Sequence, residues 1–175
     1  MNAIRYASRW ALSRNPDYPN YSGHGGGGDC TNFISQCLFA GGWSFILGGK
    51  GDGDAWWSNN GANTKTWSSA AWFYDFLDDS PRVTRCQEDD LDLGDVVMMQ
   101  GVDFGHPDHA MMVTHITWLS TPDGQQRQVS LSYHSTDTLN NPLREIKSRY
   151  AADTKYYFFK VANTFADPPM RDIFF

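Results

Sequence analysis

The chain has 175 residues, 41% hydrophobic and 15% aromatic, and its 14 Lys and Arg against 20 Asp and Glu leave a net charge of −6. That length is enough for one domain with a core, and the negative balance argues against nucleic-acid phosphates as a partner. There is no run of 18 apolar residues to span a membrane, and no apolar stretch at the N-terminus reads as a secretory signal.

Residues 2–14 predict an amphipathic helix, with Ile4, Ala7, Ala11 and Leu12 near one face and Asn15-Pro16 as its stop. A loop follows to Asp29, ending in four glycines that free the backbone for a tight turn. Asp29 stands at the N-cap position of the next helix. That helix opens at Cys30, runs to about Ala40, and spaces Phe33, Ile34, Cys37 and Leu38 along one buried face before Gly41-Gly42 ends it. Residues 48–63, rich in Gly, Asp and Asn, read as a surface excursion carrying Trp56-Trp57. A second helix is expected at 68–77, capped by Ser68 or Ser69. Strands are expected at 96–100, 109–119, 128–134 and 155–162, the middle pair joined by the Pro122-Asp123-Gly124 turn. Pro168-Pro169 closes a single domain at 1–165 and leaves a tail at 166–175. Helices followed by an antiparallel sheet make an α+β fold.

The chemistry concentrates at residues 25–37. A thiol at a helix N-terminus lies beside unpaired backbone N–H groups and the positive end of the helix dipole, which favour its thiolate. The same N–H groups can hold an oxyanion forming on a substrate carbonyl. Cys30 is therefore expected to be an exposed nucleophile whose loss leaves the fold intact. Its expected base is His109, at the start of a strand, which takes the thiol proton and returns it to the leaving amine. His106 sits in a loop before Pro107 and His115 lies deeper in the hairpin; both are weaker candidates, and His24 reads as a loop residue. A third, orienting group is expected from His134, at the end of the neighbouring strand, or alternatively from Asp137. Asp29, Tyr18 and Tyr21 are placed in the cleft, a tyrosine adding an oxyanion contact. Trp56, Trp57 and Trp67 suit a substrate groove, with core packing at least as good a reading for each. No His-x-x-x-His or His-Glu-x-x-His pattern occurs, so neither metal nor other cofactor is expected. Of the three cysteines, Cys30 and Cys37 lie two helical turns apart, about 10 Å between Cα atoms and beyond disulfide reach. Asp89, Asp90 and Asp92 read as a solvated turn.

Asp29-Cys30-Thr31-Asn32-Phe33-Ile34-Ser35-Gln36, then Gly94-Asp95-Val96-Val97, then His109 before apolar residues, resemble the motifs of the putative amidase domain family. That family is placed with the papain-like NlpC/P60 and CHAP cysteine hydrolases. The likeness runs from Arg5 to about His134 or Asp137, and it includes Arg5-Tyr6-Ala7 and Arg14-Asn15-Pro16-Asp17-Tyr18. Residues 51–63 and the acidic stretch before Gly94 carry no matching motif. The resemblance implies a papain-like cysteine amidase or peptidase cutting peptidoglycan peptide or amide bonds, and it favours His134 as the third residue. Compact size, the lack of a signal and a complete catalytic set also suit an antibacterial effector that a dedicated secretion machine delivers to periplasm or cell wall, silenced by an inhibitory immunity partner, or else a domain of a longer protein. Two other readings stand beside it: a toxin that deamidates or transamidates a protein, and a binding module without catalysis.

Overall fold

The structure, a computed structural model, describes residues 2–23 and 28–162. His24 and the tail at 166–175 lie outside them. The helical part comprises α1 (Asn2–Trp10), α2 (Cys30–Ala40), the short turn α3 (Lys65–Ser68) and α4 (Ala70–Asp78). A two-stranded ladder of β1 (Ser58–Asn59) and β2 (Ala62–Asn63) sits between α2 and α3 in the chain. The main sheet contains β3 (Val83–Arg85), β4 (Val96–Gln100), β5 (His109–Thr121), β6 (Gly124–Tyr133), β7 (Thr138–Pro142) and β8 (Lys155–Val161). Its spatial order is β3-β8-β4-β5-β6-β7, with every neighbouring pair antiparallel. The chain is thus α+β, with helices on an antiparallel sheet.

Alternation along the central strands fills both faces of that sheet. Val96, Met98, Ala110, Met112 and Phe159 face the helices and pack with Phe33, Ile34, Cys37, Phe73 and Leu77. Val97, Met99, Met111, Val113 and Leu131 face the other way, onto Leu91 and onto Leu143 and Ile146 of α5 (Leu143–Ser148). Neither α5 nor the strands β3 and β7 were expected from sequence. They are short and polar, and they form because the second apolar face of β4–β6 needs a cover and an edge.

Three further expectations change. The first helix stops at Trp10, four residues short of the expected end at residue 14; the Trp10 carbonyl closes a tighter turn by accepting from Ser13 N at 3.1 Å and lies 2.9 Å from Nε2 of His134, the residue after β6. In α2 every residue from Cys30 to Leu38 is buried, so the helix has no solvent face. Its polar residues tolerate this because they find partners: Ser35 Oγ donates to the Trp67 carbonyl and accepts from Trp56 Nε1, and Gln36 Oε1 accepts from Tyr6. The third change is that the glycine-rich excursion is anchored, not loose. Trp56 and Trp67 are fully buried and packed with their ring centroids 4.7 Å apart, and the Ile46–Trp56 bridge pins the segment to the core.

Trp67 also donates its indole N–H to Asn32 Oδ1 at 2.8 Å, tying the core to the second turn-forming residue after Cys30. Trp67→Phe is expected to keep most of the packing and leave that buried oxygen unpaired. The loss should be about 1–3 kcal/mol, read as a lower urea midpoint. An unchanged midpoint would remove this bond from the account of stability.

Candidate active site

Asp29 holds a non-helical backbone (φ −105°, ψ 8°) and its carbonyl accepts the first helical bond, from Phe33 N at 3.0 Å. Cys30 is therefore the first residue of α2, where backbone N–H groups lack helical partners. Its side chain is buried, with 4% of the residue exposed, which corrects the expectation of an exposed thiol. The helix start is wedged against the entry of β5, so the thiol lies 4.0 Å from the Asp108 carbonyl and 3.8 Å from Thr31 Oγ1. Burial alone would push its pKa up. The charge and hydrogen bonding of His109, the Ala110 N–H and Thr31 oppose that and bring it below the ordinary thiol value. Cys37, equally buried on the same helix but without such neighbours, is driven well above that value, and burial also raises Cys86. All three thiols are free.

His109 opens β5, opposite Met99 of β4. The loop before it is closed at both ends: Asp108 N donates to the Met99 carbonyl at 2.9 Å, and Asp108 Oδ1 accepts from Gly101 N at 2.7 Å. The His109 ring meets the Tyr133 ring edge-to-face at 5.1 Å and 83°. The Tyr133 hydroxyl in turn accepts from Asn141 Nδ2 at 3.2 Å. Aromatic packing from the end of β6 is what steadies the imidazole.

His134 and Asp137, the two candidates for an orienting group, are engaged elsewhere. His134 Nδ1 lies 2.9 Å from Asp29 Oδ2 and Nε2 lies 2.9 Å from the Trp10 carbonyl, so both ring nitrogens are occupied away from His109. The ring stacks on Phe33 at 3.9 Å. Asp137 makes a two-pronged pair with Arg14 at 2.8 and 2.9 Å, and that hydrogen bonding holds its carboxyl below the usual range. Asp29 is likewise not the helix cap that its position suggested, for its side chain bonds no helical N–H. It is a fully buried hub instead. Oδ1 accepts from Tyr21 N at 3.2 Å and Asn32 Nδ2 at 2.8 Å, while Oδ2 faces His134 and, at 2.9 Å, Arg14 Nε. Gly28 keeps φ +95°, and a Cβ there would stand 3.0 Å from Ser135 Oγ, the atom that accepts from Asp29 N. Glycine is required on both counts.

The profile of the putative amidase domain family matches residues 1–159. The chain belongs to that family. Membership suggests a hydrolase acting on amides. Over 117 residues the chain is 32% identical to the uncharacterized protein YhbB of Bacillus subtilis (strain 168), a match covering 65% of this chain and 36% of that relative. The matched region is thus about a third of the relative's length. No solved structure matches the chain.

The remaining candidates of this amidase-family chain divide between core and surface. Tyr21 donates its hydroxyl to Asn63 Oδ1, and Tyr18 stacks on Trp67 at 6.0 Å, so both tyrosines brace the loop leading to the cysteine. Trp56 and Trp67 belong to the core, and Trp57 is tied by its indole N–H to the Gly48 carbonyl. His106 and His115 are exposed. A bulge between Val113 and His115 breaks the strand alternation there. Asp95 of the Gly-Asp-Val-Val string is buried and structural: it accepts from Asp92 N at 2.7 Å and Val161 N at 2.8 Å, and desolvation raises its pKa. Among the described residues, no group of three His, Cys, Asp or Glu could hold a metal ion, and no helix is long and apolar enough to cross a membrane. Sequence reading missed the roles of Arg14, the Trp10 carbonyl and the Asp108 carbonyl. The last two are backbone atoms that any residue would supply, and Arg14 is separated from Asp137 by 123 positions.

Proposed function

We propose that the chain is a cysteine-dependent amide hydrolase with Cys30 as nucleophile and His109 as general base and then acid. One observation carries this reading. A wholly buried thiol, which desolvation should keep neutral, has its pKa lowered by an adjacent histidine. His109 takes the thiol proton and the sulfur attacks the amide carbonyl carbon. The resulting oxyanion is held by the free N–H groups at the start of α2, the Cys30 N–H among them. Collapse breaks the C–N bond, and His109 returns the proton to the departing amine. Water, deprotonated by His109, then cleaves the thioester and frees the acid and the thiol. A papain-like arrangement fits the cysteine helix laid against an antiparallel sheet with histidine at a strand entry. The resemblance of the motifs supports peptidoglycan stem peptides, or their amide link to sugar, as substrate. Delivery to the periplasm or wall, and an immunity partner that silences the enzyme, extend that reading.

The direct test is mass spectrometry of muropeptides from purified wall incubated with wild type and with Cys30→Ala. New amine termini in the wild-type digest alone support the reading. An intact wall, with deamidated or cross-linked glutamine in a mixture of proteins, would move the same chemistry to a protein substrate. Activation of the thiol is testable without any substrate. Iodoacetamide labelling of each cysteine, followed from about pH 5 to about pH 10, should rise at a lower pH for Cys30 than for Cys37 or Cys86. Limited access to the reagent scales the labelling rate without moving its midpoint along the pH axis, so the midpoint reports ionisation. A Cys30 midpoint as high as the others would remove the activated nucleophile.

A further inference from the structure

His109 needs a support that neither His134 nor Asp137 gives it, and strand geometry says on which side. Side chains alternate along β5. Ala110 and Met112 belong with Cys30 to the core on the helix side, whereas Met111 and Val113 belong to the core on the opposite face. By that alternation His109 stands on the second face, away from the thiol. It is the first residue of β5, so its half-buried imidazole bears on the Cys30 sulfur from around the strand end. A side chain in that position can also turn back over the second face. Tyr133 closes that side. Its ring meets the imidazole with centroids 5.1 Å apart and planes at 83°, a favoured edge-to-face arrangement.

Tyr133 is itself fixed in three ways. It is 7% exposed and belongs to the second core with Leu143 and Ile146. Its hydroxyl accepts from Asn141 Nδ2 at 3.2 Å. The third device lies in the sheet: from Leu131 to Tyr133 β6 advances two residues, while its partner β7 advances three, from Asn141 to Thr138. The extra residue makes a bulge, and Asn140 within it holds φ +55°. That left-handed backbone is pinned, because Asn140 N donates to Ser132 Oγ at 3.0 Å and Asn140 Oδ1 accepts from Thr114 Oγ1 at 2.8 Å. A bulge re-aims the side chains beside it, here Tyr133 and Asn141. Regular pairing would cover the second core equally well, so packing alone does not call for one.

We propose that Tyr133 is a positioning residue for the reaction: its ring, aimed by the bulge in β7 and anchored through Asn141, holds the His109 imidazole against the Cys30 sulfur. This rests on Cys30 and His109 being the reacting pair. The imidazole acts on the thiol by charge and by a hydrogen bond, and the hydrogen bond is the part that depends on the ring's orientation.

The test compares wild type, Tyr133→Leu, Tyr133→Phe and Ile146→Val by the pH midpoint of Cys30 alkylation and by kcat and KM for muropeptide cleavage. Tyr133→Leu removes the ring, so the midpoint should rise by about one pH unit. Its kcat should fall about a hundredfold, the cost of a misplaced catalytic group, with KM little changed. Tyr133→Phe keeps the ring and should hold the wild-type midpoint, with kcat within about tenfold, the scale of one neutral hydrogen bond. Ile146→Val trims the same core and should lower only the melting temperature. If Tyr133 is merely structural, Tyr133→Leu melts earlier with its midpoint unmoved, as Ile146→Val does, and that result overturns the proposal. So does a Tyr133→Phe midpoint raised as far as that of Tyr133→Leu, which puts the role in the hydroxyl. Where Tyr133→Leu does not fold by circular dichroism, Tyr133→Met fills more of the space and carries the same expectation; an unmoved midpoint there overturns the proposal. A wild-type Cys30 midpoint as high as those of Cys37 and Cys86 sinks the nucleophile instead, so the two failures stay distinct.

Discussion

Cys30→Ala is expected to remove amide hydrolysis, with a loss on the order of a million-fold, the scale set by loss of the nucleophile in a serine protease. No other group described at the site can form the covalent intermediate. Cys37 faces the core on the same helix with its pKa driven up, so it does not substitute. The burial of Cys30 changes what accompanies that loss. Removing the sulfur leaves a small cavity between α2 and β5 and should cost about 1 kcal/mol of stability, seen as a slightly lower melting temperature with an unchanged circular dichroism spectrum. Cys30→Ser fills the same space and should be equally inactive, because a hydroxyl is far harder to ionise than a thiol. The measurement is release of new amine termini from muropeptides beside a melt of each variant. Turnover by Cys30→Ala at even a tenth of the wild-type rate would withdraw the nucleophile assignment.

His109→Ala should have the next largest effect, and it shows in two independent readouts. Removing the imidazole takes away both of its contributions to the Cys30 thiol and leaves burial opposed only by the Ala110 N–H and Thr31. The thiol pKa should then rise above its ordinary value, and alkylation at neutral pH should slow at least tenfold for each unit gained. Turnover should fall further than alkylation does, because protonation of the leaving amine is lost as well. His106→Ala and His115→Ala alter exposed rings and should reproduce neither effect. Alkylation of Cys30 as fast in His109→Ala as in wild type would end the Cys30–His109 pairing.

Local chemistry by itself determined where the main parts lie. Gly28, Asp29 and the apolar spacing after them place Cys30 at a helix start, and an apolar run places His109 at a strand start; both are found there. The Pro122-Asp123-Gly124 string makes the turn between β5 and β6, with Gly124 at φ +119°. These features depend on neighbours within a few positions, where backbone propensity and hydrophobic period act. The tertiary structure decided what the buried polar side chains do. Asp29 reads locally as a cap, yet four partners drawn from Arg14 to His134 claim its oxygens, because a buried carboxylate must be paired and these lie nearer than the helix N–H groups. His134 reads as an orienter at a strand end, but β6 delivers it to the end of α1, across 124 positions of chain. Trp56 and Trp67 read from sequence as either groove or core residues, and only the folded chain brings Ser35 and Asn32 within reach of their indole nitrogens. Hydrophobic period is written along the chain, whereas the pairing of a buried charge is settled by whichever distant group packing brings to it.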